Sequence, residues 1–138
     1  MEFMVTDREG IKNGVLAHSA YIVISIRDPD SPRPRVKKQS GLRAVLYLIF
    51  NDAEPPTTES MVLMTPEQAQ QIVDFVERHQ RSVETVVVHC EAGMSRSPAV
   101  AAALCKSMGG DDRQFWQSFT PNVYVYKLVC EAAKGTFK

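Results

Sequence analysis

The chain has 138 residues, 44% of them hydrophobic and 23% charged, a length and balance that predict one globular domain over residues 1–138 with a single sizeable core. Sixteen Lys and Arg stand against 16 Asp and Glu, for a formal net charge of +0, so no global field draws a nucleic acid and any preference for an anion must be local. The opening stretch MEFMVTDREG is charged, and the longest apolar run, Ala44 to Phe50, is too short to span a bilayer, so no membrane partner is expected.

Phe3 to Val5 reads as a short strand and Asp7 to Leu16 as a helix. Ala20 to Ile26, AYIVISI, is β-branched and aromatic, as a buried strand should be. Asp28-Pro29-Asp30-Ser31-Pro32 stops it, and Arg33-Pro34-Arg35-Val36-Lys37-Lys38 continues as a basic, proline-broken loop. That cluster has two readings, a solvated loop or a recognition rim beside a phosphate pocket.

Leu42 to Phe50, LRAVLYLIF, is the next strand, and its near-continuous apolarity predicts burial on both faces of a parallel sheet. Thr65-Pro66-Glu67-Gln68 starts a helix, with Thr as N-cap, Pro at the first helical position and Gln completing a capping box. Ala69, Ile72, Val73 and Val76 give that helix an apolar face to about His79, and a right-handed crossover places it on one face of the sheet. His79 lies in an exposed charged end, and His18 has no partner pattern.

The chemistry concentrates in Glu84 to Ser97, ETVVVHCEAGMSRS. A β-branched run ends at His89-Cys90, five residues separate Cys90 from Arg96, and Ser97-Pro98 opens a small-residue helix, AVAAALC. Gly93 allows a tight reversal between them. Such a loop aims backbone N–H groups into one concavity at a helix N-terminus, where an anion is favoured. The amides and the dipole that attract phosphate also favour a thiolate at Cys90 over the thiol. Arg96 offers a planar fork that takes two phosphoryl oxygens at once. The Ser97 hydroxyl can hydrogen-bond the sulfur and help it leave. Backbone from Glu91, Ala92, Gly93, Met94, Ser95 and Arg96 is expected to bind the phosphate, with the Glu91 and Met94 side chains pointing outward.

The order of these parts, HCEAGMSRSPA, resembles the signature of the cysteine-dependent protein tyrosine phosphatase superfamily, and most closely its small dual-specificity members. The resemblance extends from about Ala20 to Ala133. It implies an α/β fold, three layers α/β/α around a four- to five-stranded, mostly parallel sheet with Thr85 to His89 as its most central strand. It implies hydrolysis of phosphomonoesters through a phosphocysteine, with no cofactor and no metal. His89 is implied to shape the loop, since strand alternation turns its side chain away from that of Cys90.

Asn51-Asp52-Ala53-Glu54 leaves the strand at Leu42 at the sheet edge where the Cys90 loop also emerges. Asp52 is the first candidate for the general acid and resembles the acid of dual-specificity phosphatases, with Glu54 next and Asp28 or Asp30 behind. Gly109-Gly110 ends the helix after the loop, Asp111 is expected to cap a short helix through Phe119, and Pro121-Asn122 starts a last helix. Cys105 is spaced as a core residue of its helix, a resolving thiol for Cys90 being the other reading. Three cysteines without disulfide or zinc spacing suit a reducing cytoplasm. The expected substrate is a phosphorylated protein or peptide, because EAGMS carries no Lys to meet the further phosphates of an inositol phosphate. The alternatives are a phosphate-binding module without turnover and a phosphatase of a non-protein phosphomonoester such as an inositol phosphate.

Overall fold

The computed structural model describes residues 1–16 and 19–137; Ala17, His18 and Lys138 lie outside the described residues, and the reading of His18 with them. Among the described residues four strands form one sheet: β1 (Glu2–Thr6), β2 (Tyr21–Arg27), β3 (Leu42–Ile49) and β4 (Thr85–His89). Their order is β1-β4-β2-β3 and every pairing is parallel, so the sheet has the smaller of the two expected sizes. The helices are α1 (Arg8–Asn13), α2 (Pro66–His79), α3 (Arg96–Ser107), α4 (Arg113–Ser118) and α5 (Val123–Ala133).

Strand alternation divides the core between two faces. Tyr21, Val23 and Val87 pack with Ile11 and Val15 on the α1 side. Ile22, Ile24, Ile26, Val86 and Val88 point the other way, into a larger cluster with residues of α2, α3 and α5. The result is the three-layer α/β arrangement. β4 pairs with both β1 and β2, so it shares the centre of the sheet with β2 instead of holding it alone.

Burial of β3 on both faces is not what the structure shows. β3 is an edge strand, and Tyr47 and Ile49 are 36% and 41% exposed. The reason is geometric: α1 has only six residues, and its cluster reaches Leu42 and Val45 but not the later residues of the strand. The Arg33 guanidinium lies over the Tyr47 ring, 3.6 Å from its centroid, where a helix would otherwise pack.

The helix boundaries have local causes. α1 starts at Asp7, whose carboxylate accepts from the Gly10 N–H, and stops earlier than predicted because Gly14 takes a φ of 110°. Both hydrogen bonds of the predicted capping box are present at Thr65 and Gln68 of α2. Asp112 stands at the N-cap position of α4, one residue later than expected, but the Asp111 carboxylate still accepts from the Arg113 N–H, the first of the helix, at 3.0 Å and binds the Arg113 guanidinium at 2.7 Å. Among the described residues no helix is long and apolar enough to cross a membrane.

α3 places the site. It is buried from Arg96 to Cys105, and its alanines let it pack closely against α5, β1, β4 and α4. A central strand and a central helix thus fix both ends of the segment between them, residues 90–95.

Candidate active site

Cys90 follows β4 directly and is 2% exposed. The Gly93 N–H donates to its sulfur at 3.3 Å, and the Ser97 hydroxyl stands 3.1 Å from the same atom. The sequence therefore brings two polar groups to the sulfur, one from the loop and one from the first turn of α3. Among the described residues the backbone N–H groups of Glu91, Ala92, Met94 and Ser95 donate to no protein acceptor, which leaves them for a ligand.

Gly93 has a φ of 68°, and a Cβ built on it would lie 2.9 Å from the Thr6 carbonyl oxygen. Both facts demand glycine, because the loop reverses where it crosses the end of β1. The Arg8 N–H donates to the Glu91 carbonyl at 3.2 Å, and its guanidinium reaches the Glu91 carboxylate at 3.1 Å. The Glu91 side chain is thus engaged in an ion pair instead of merely facing solvent. Met94, 48% exposed, does point outward.

Arg96 is 4% exposed, so the orientation of its guanidinium must be fixed by partners. Nη1 donates to the Asp28 carboxylate and to the Phe50 carbonyl, each at 2.7 Å. Nε and Nη2 have no acceptor among the described residues, so one edge of the fork is anchored and the other is left for an oxyanion. Asp28, third in the order of acid candidates, is instead the anchor of Arg96. Its role was not legible in the sequence because 68 residues separate the two.

Asp52 arrives at the loop as expected. Its Oδ1 accepts from the Ser95 hydroxyl at 2.8 Å and from the Asn122 side-chain amide at 2.9 Å, leaving Oδ2 without a protein donor among the described residues. Glu54 turns to the start of α5, accepting from the Tyr124 N–H at 3.0 Å. Asp30 is exposed and joins neither. Asp52, Ala53, Glu54, Ser95, Asn122 and Val123 are among the residues lining an open concavity of about 410 Å³ beside the loop.

Asn122 is bonded through both its side chain and its backbone. Its Oδ1 caps α5 by accepting from the Val125 N–H, its Nδ2 donates to Asp52 and to the Ala53 carbonyl, and its backbone N–H donates to Ser95. The sequence disclosed only the capping. The signal for the rest was that an N-cap Asn has an amide left over, which Ser or Asp at the same position would lack.

His89 is fully buried, and burial lowers its pKa from the ordinary 6.5. Nδ1 faces the Cys90 carbonyl at 3.3 Å, and a carbonyl only accepts, so Nδ1 carries the proton. Nε2 then accepts from the Ser25 hydroxyl at 2.6 Å. Both nitrogens are occupied away from the sulfur, and the ring braces β4 against β2. Cys105 sits nine residues along α3 from Arg96, roughly 13 Å of helix rise, which is too far for a disulfide with Cys90. Burial raises its pKa, as for a packed thiol. Among the described residues, no three His, Cys, Asp or Glu side chains gather as metal ligands.

The family model described as Protein-tyrosine phosphatase matches residues 61–130, which include the whole of the loop 90–95 and α3. The chain belongs to the protein-tyrosine phosphatase family. Solved structures bear out the phosphatase fold. Human DUSP28 superposes with a TM-score of 0.62 at 16% identity, over 96% of this chain and 91% of that one. The human tyrosine phosphatase-like serine/threonine/tyrosine-interacting protein gives 0.56 at 21%, over 83% and 76%. Tk-PTP in its active form gives 0.53 at 18%, over 96% and 90%. A search of the curated proteins finds no match.

Proposed function

We propose that this phosphatase-family chain hydrolyses phosphomonoesters, foremost protein phosphotyrosine, through a phosphocysteine on Cys90. The observation that supports it is the convergence of the Gly93 N–H and the Ser97 hydroxyl on the Cys90 sulfur, beside a guanidinium with one free edge and a carboxylate tied to the same loop. Cys90 attacks phosphorus while Arg96 and the loop amides hold the equatorial oxygens. The P–O bond breaks and Asp52 gives its proton to the leaving oxygen. Water then attacks the phosphocysteine, Asp52 takes a proton from it, and the S–P bond breaks with the Ser97 hydroxyl donating to the departing sulfur. Phosphoryl transfer asks for little beyond positioning and charge, which this loop supplies.

Protein phosphotyrosine is favoured over an inositol phosphate because residues 91–95 carry no cation of their own. The likeness to a protein described as phosphatase-like and interacting keeps one rival, recognition of a phosphorylated partner without turnover. Retention of Cys90, Arg96 and Asp52 together favours turnover.

Hydrolysis of a generic aryl phosphate in EDTA separates the two. Wild type is expected to turn over, Cys90→Ser to lose at least about 10³-fold, and Asp52→Asn to lose about 10²-fold in kcat, more for a poorly acidic leaving group. An inert wild type would favour the binding module, and a fully active Cys90→Ser would remove the mechanism.

A further inference from the structure

A second concavity, of about 270 Å³, adjoins the nucleophile loop and is lined by Arg8, Glu9, Lys12, Pro32, Arg33 and Arg35. Four cations and one carboxylate give its walls a charge of 4 − 1 = +3, in a chain whose formal net charge is +0. Arg8 is paired to Glu91, but among the described residues no carboxylate lies within 4.0 Å of Lys12, Arg33 or Arg35. Like charges gathered around one space repel, so other forces must hold them there.

Those forces are visible. Arg8 Nη2 donates to the Pro32 carbonyl at 2.7 Å, the Lys37 N–H donates to the Ile11 carbonyl at 3.1 Å, and Arg33 rests on the Tyr47 ring. Pro34 between the two arginines is buried, which turns its neighbours outward. The basic segment is therefore clamped to α1 and β3, with its cations set in place before any ligand arrives. It is also joined to the reaction centre at two points: Asp28 at its start anchors Arg96, and Arg8 binds the residue next to Cys90.

We infer that this pocket is a subsite for an anionic side chain lying a few residues from the phosphorylated residue of a peptide substrate. The inference rests on the phosphatase reading above and names its specificity. Arg8 lines the pocket and pairs with Glu91, the residue after Cys90, so a few residues of extended peptide, at about 3.3 Å each, bridge a phosphotyrosine over Cys90 and the basic wall. A carboxylate and a second phosphoryl group share the required chemistry. The pocket is a concavity and not a stripe, which suits one side chain better than a polyanion backbone.

The test uses the full chain carrying Cys90→Ser, so that ligands are held and not consumed. Fluorescence anisotropy compares phosphotyrosyl peptides that differ only at flanking positions, bearing Glu, phosphoserine or Gln. The Glu or the phosphoserine peptide is expected to bind about 10-fold tighter than the Gln peptide at low salt, with the ratio shrinking at high salt. The two anionic arms show whether a carboxylate suffices or a second phosphate is needed. Adding Lys12→Glu or Arg35→Glu should bring the ratio to about one or invert it, and because the ratio is taken within each variant, a general loss of affinity cancels. Equal binding of all three peptides, or a ratio untouched by both charge reversals, overturns the subsite. Turnover of an aryl phosphate by wild type is read separately. Selective binding with no turnover removes the hydrolase reading and keeps the subsite, whereas turnover without selectivity does the reverse.

Discussion

The loop from Cys90 to Ser95 is held on every side, whereas the loop from Asn51 to Val62, which carries Asp52, touches the body at few points. The first is bonded to Arg8, Thr120 and Asn122 and pressed against Thr6 through Gly93. The second is mostly exposed, closed at its neck by two 2.7 Å bonds between Asn51 and Val62, and linked to the reaction centre through Ser95 and Asn122. Under the proposed mechanism the difference follows from their tasks. A nucleophile and its oxyanion donors must stand in place before the substrate arrives, while the acid must let a leaving group in and out. Rigidity is built by burial and backbone bonds in one loop, and approach is left to a few side-chain bonds in the other.

The largest blow to the rigid loop should come from Gly93→Ala. The methyl meets the Thr6 carbonyl at 2.9 Å and the φ of 68° disfavours an L side chain, so the amides around the sulfur must shift. A fall of about 10²-fold in kcat/KM toward an aryl phosphate is expected, with stability reduced by roughly 1–3 kcal/mol. Activity within twofold of wild type would show that the loop tolerates displacement, and the contrast between the two loops would disappear.

A smaller effect isolates the tie on the exposed loop. Asn122→Ala removes both the α5 cap and the donor to Asp52, costing about 1 kcal/mol of stability and about 10-fold in kcat. Asn122→Ser keeps the cap but lacks the amide, so chemical denaturation should find stability near wild type while kcat stays low. If both variants lose kcat only in step with stability, Asn122 serves the helix and not the acid.

The smallest effect concerns the base of the rigid loop. Burial lowers the His89 pKa, so the unfolded chain takes up a proton at a higher pH than the folded one. Stability is then whole above about pH 6.5 and declines as the pH drops below it. Urea midpoints taken from about pH 7 to about pH 5 should fall more steeply for wild type than for His89→Asn, which retains a donor toward the Cys90 carbonyl. Parallel slopes would show that His89 does not set that decline.

How much of this was legible in the chain depended on sequence distance. The Cys90 loop could be read in full, because strand, reversal, fork and helix follow one another within fourteen residues and each local preference agrees with the next. Asp52 could be placed because two parallel strands deliver their following loops to one edge. The partners that aim these groups could not: Asp28 on Arg96, Asn122 on Asp52 and Ser25 on His89 are pairings across 68, 70 and 64 residues that only packing creates. β3 misled for the opposite reason, since apolarity reports what a strand could bury and not whether a helix is long enough to cover it.

The central claim is a covalent bond between phosphorus and the sulfur of Cys90, and acid quenching during turnover followed by peptide mass spectrometry tests it directly. With Asp52→Asn slowing breakdown of the intermediate, the peptide containing Cys90 should carry the mass of one phosphoryl group, in an amount that grows to a steady level and vanishes when substrate runs out. Turnover with that peptide unmodified at every time point, or with the phosphoryl group on another residue, would contradict it.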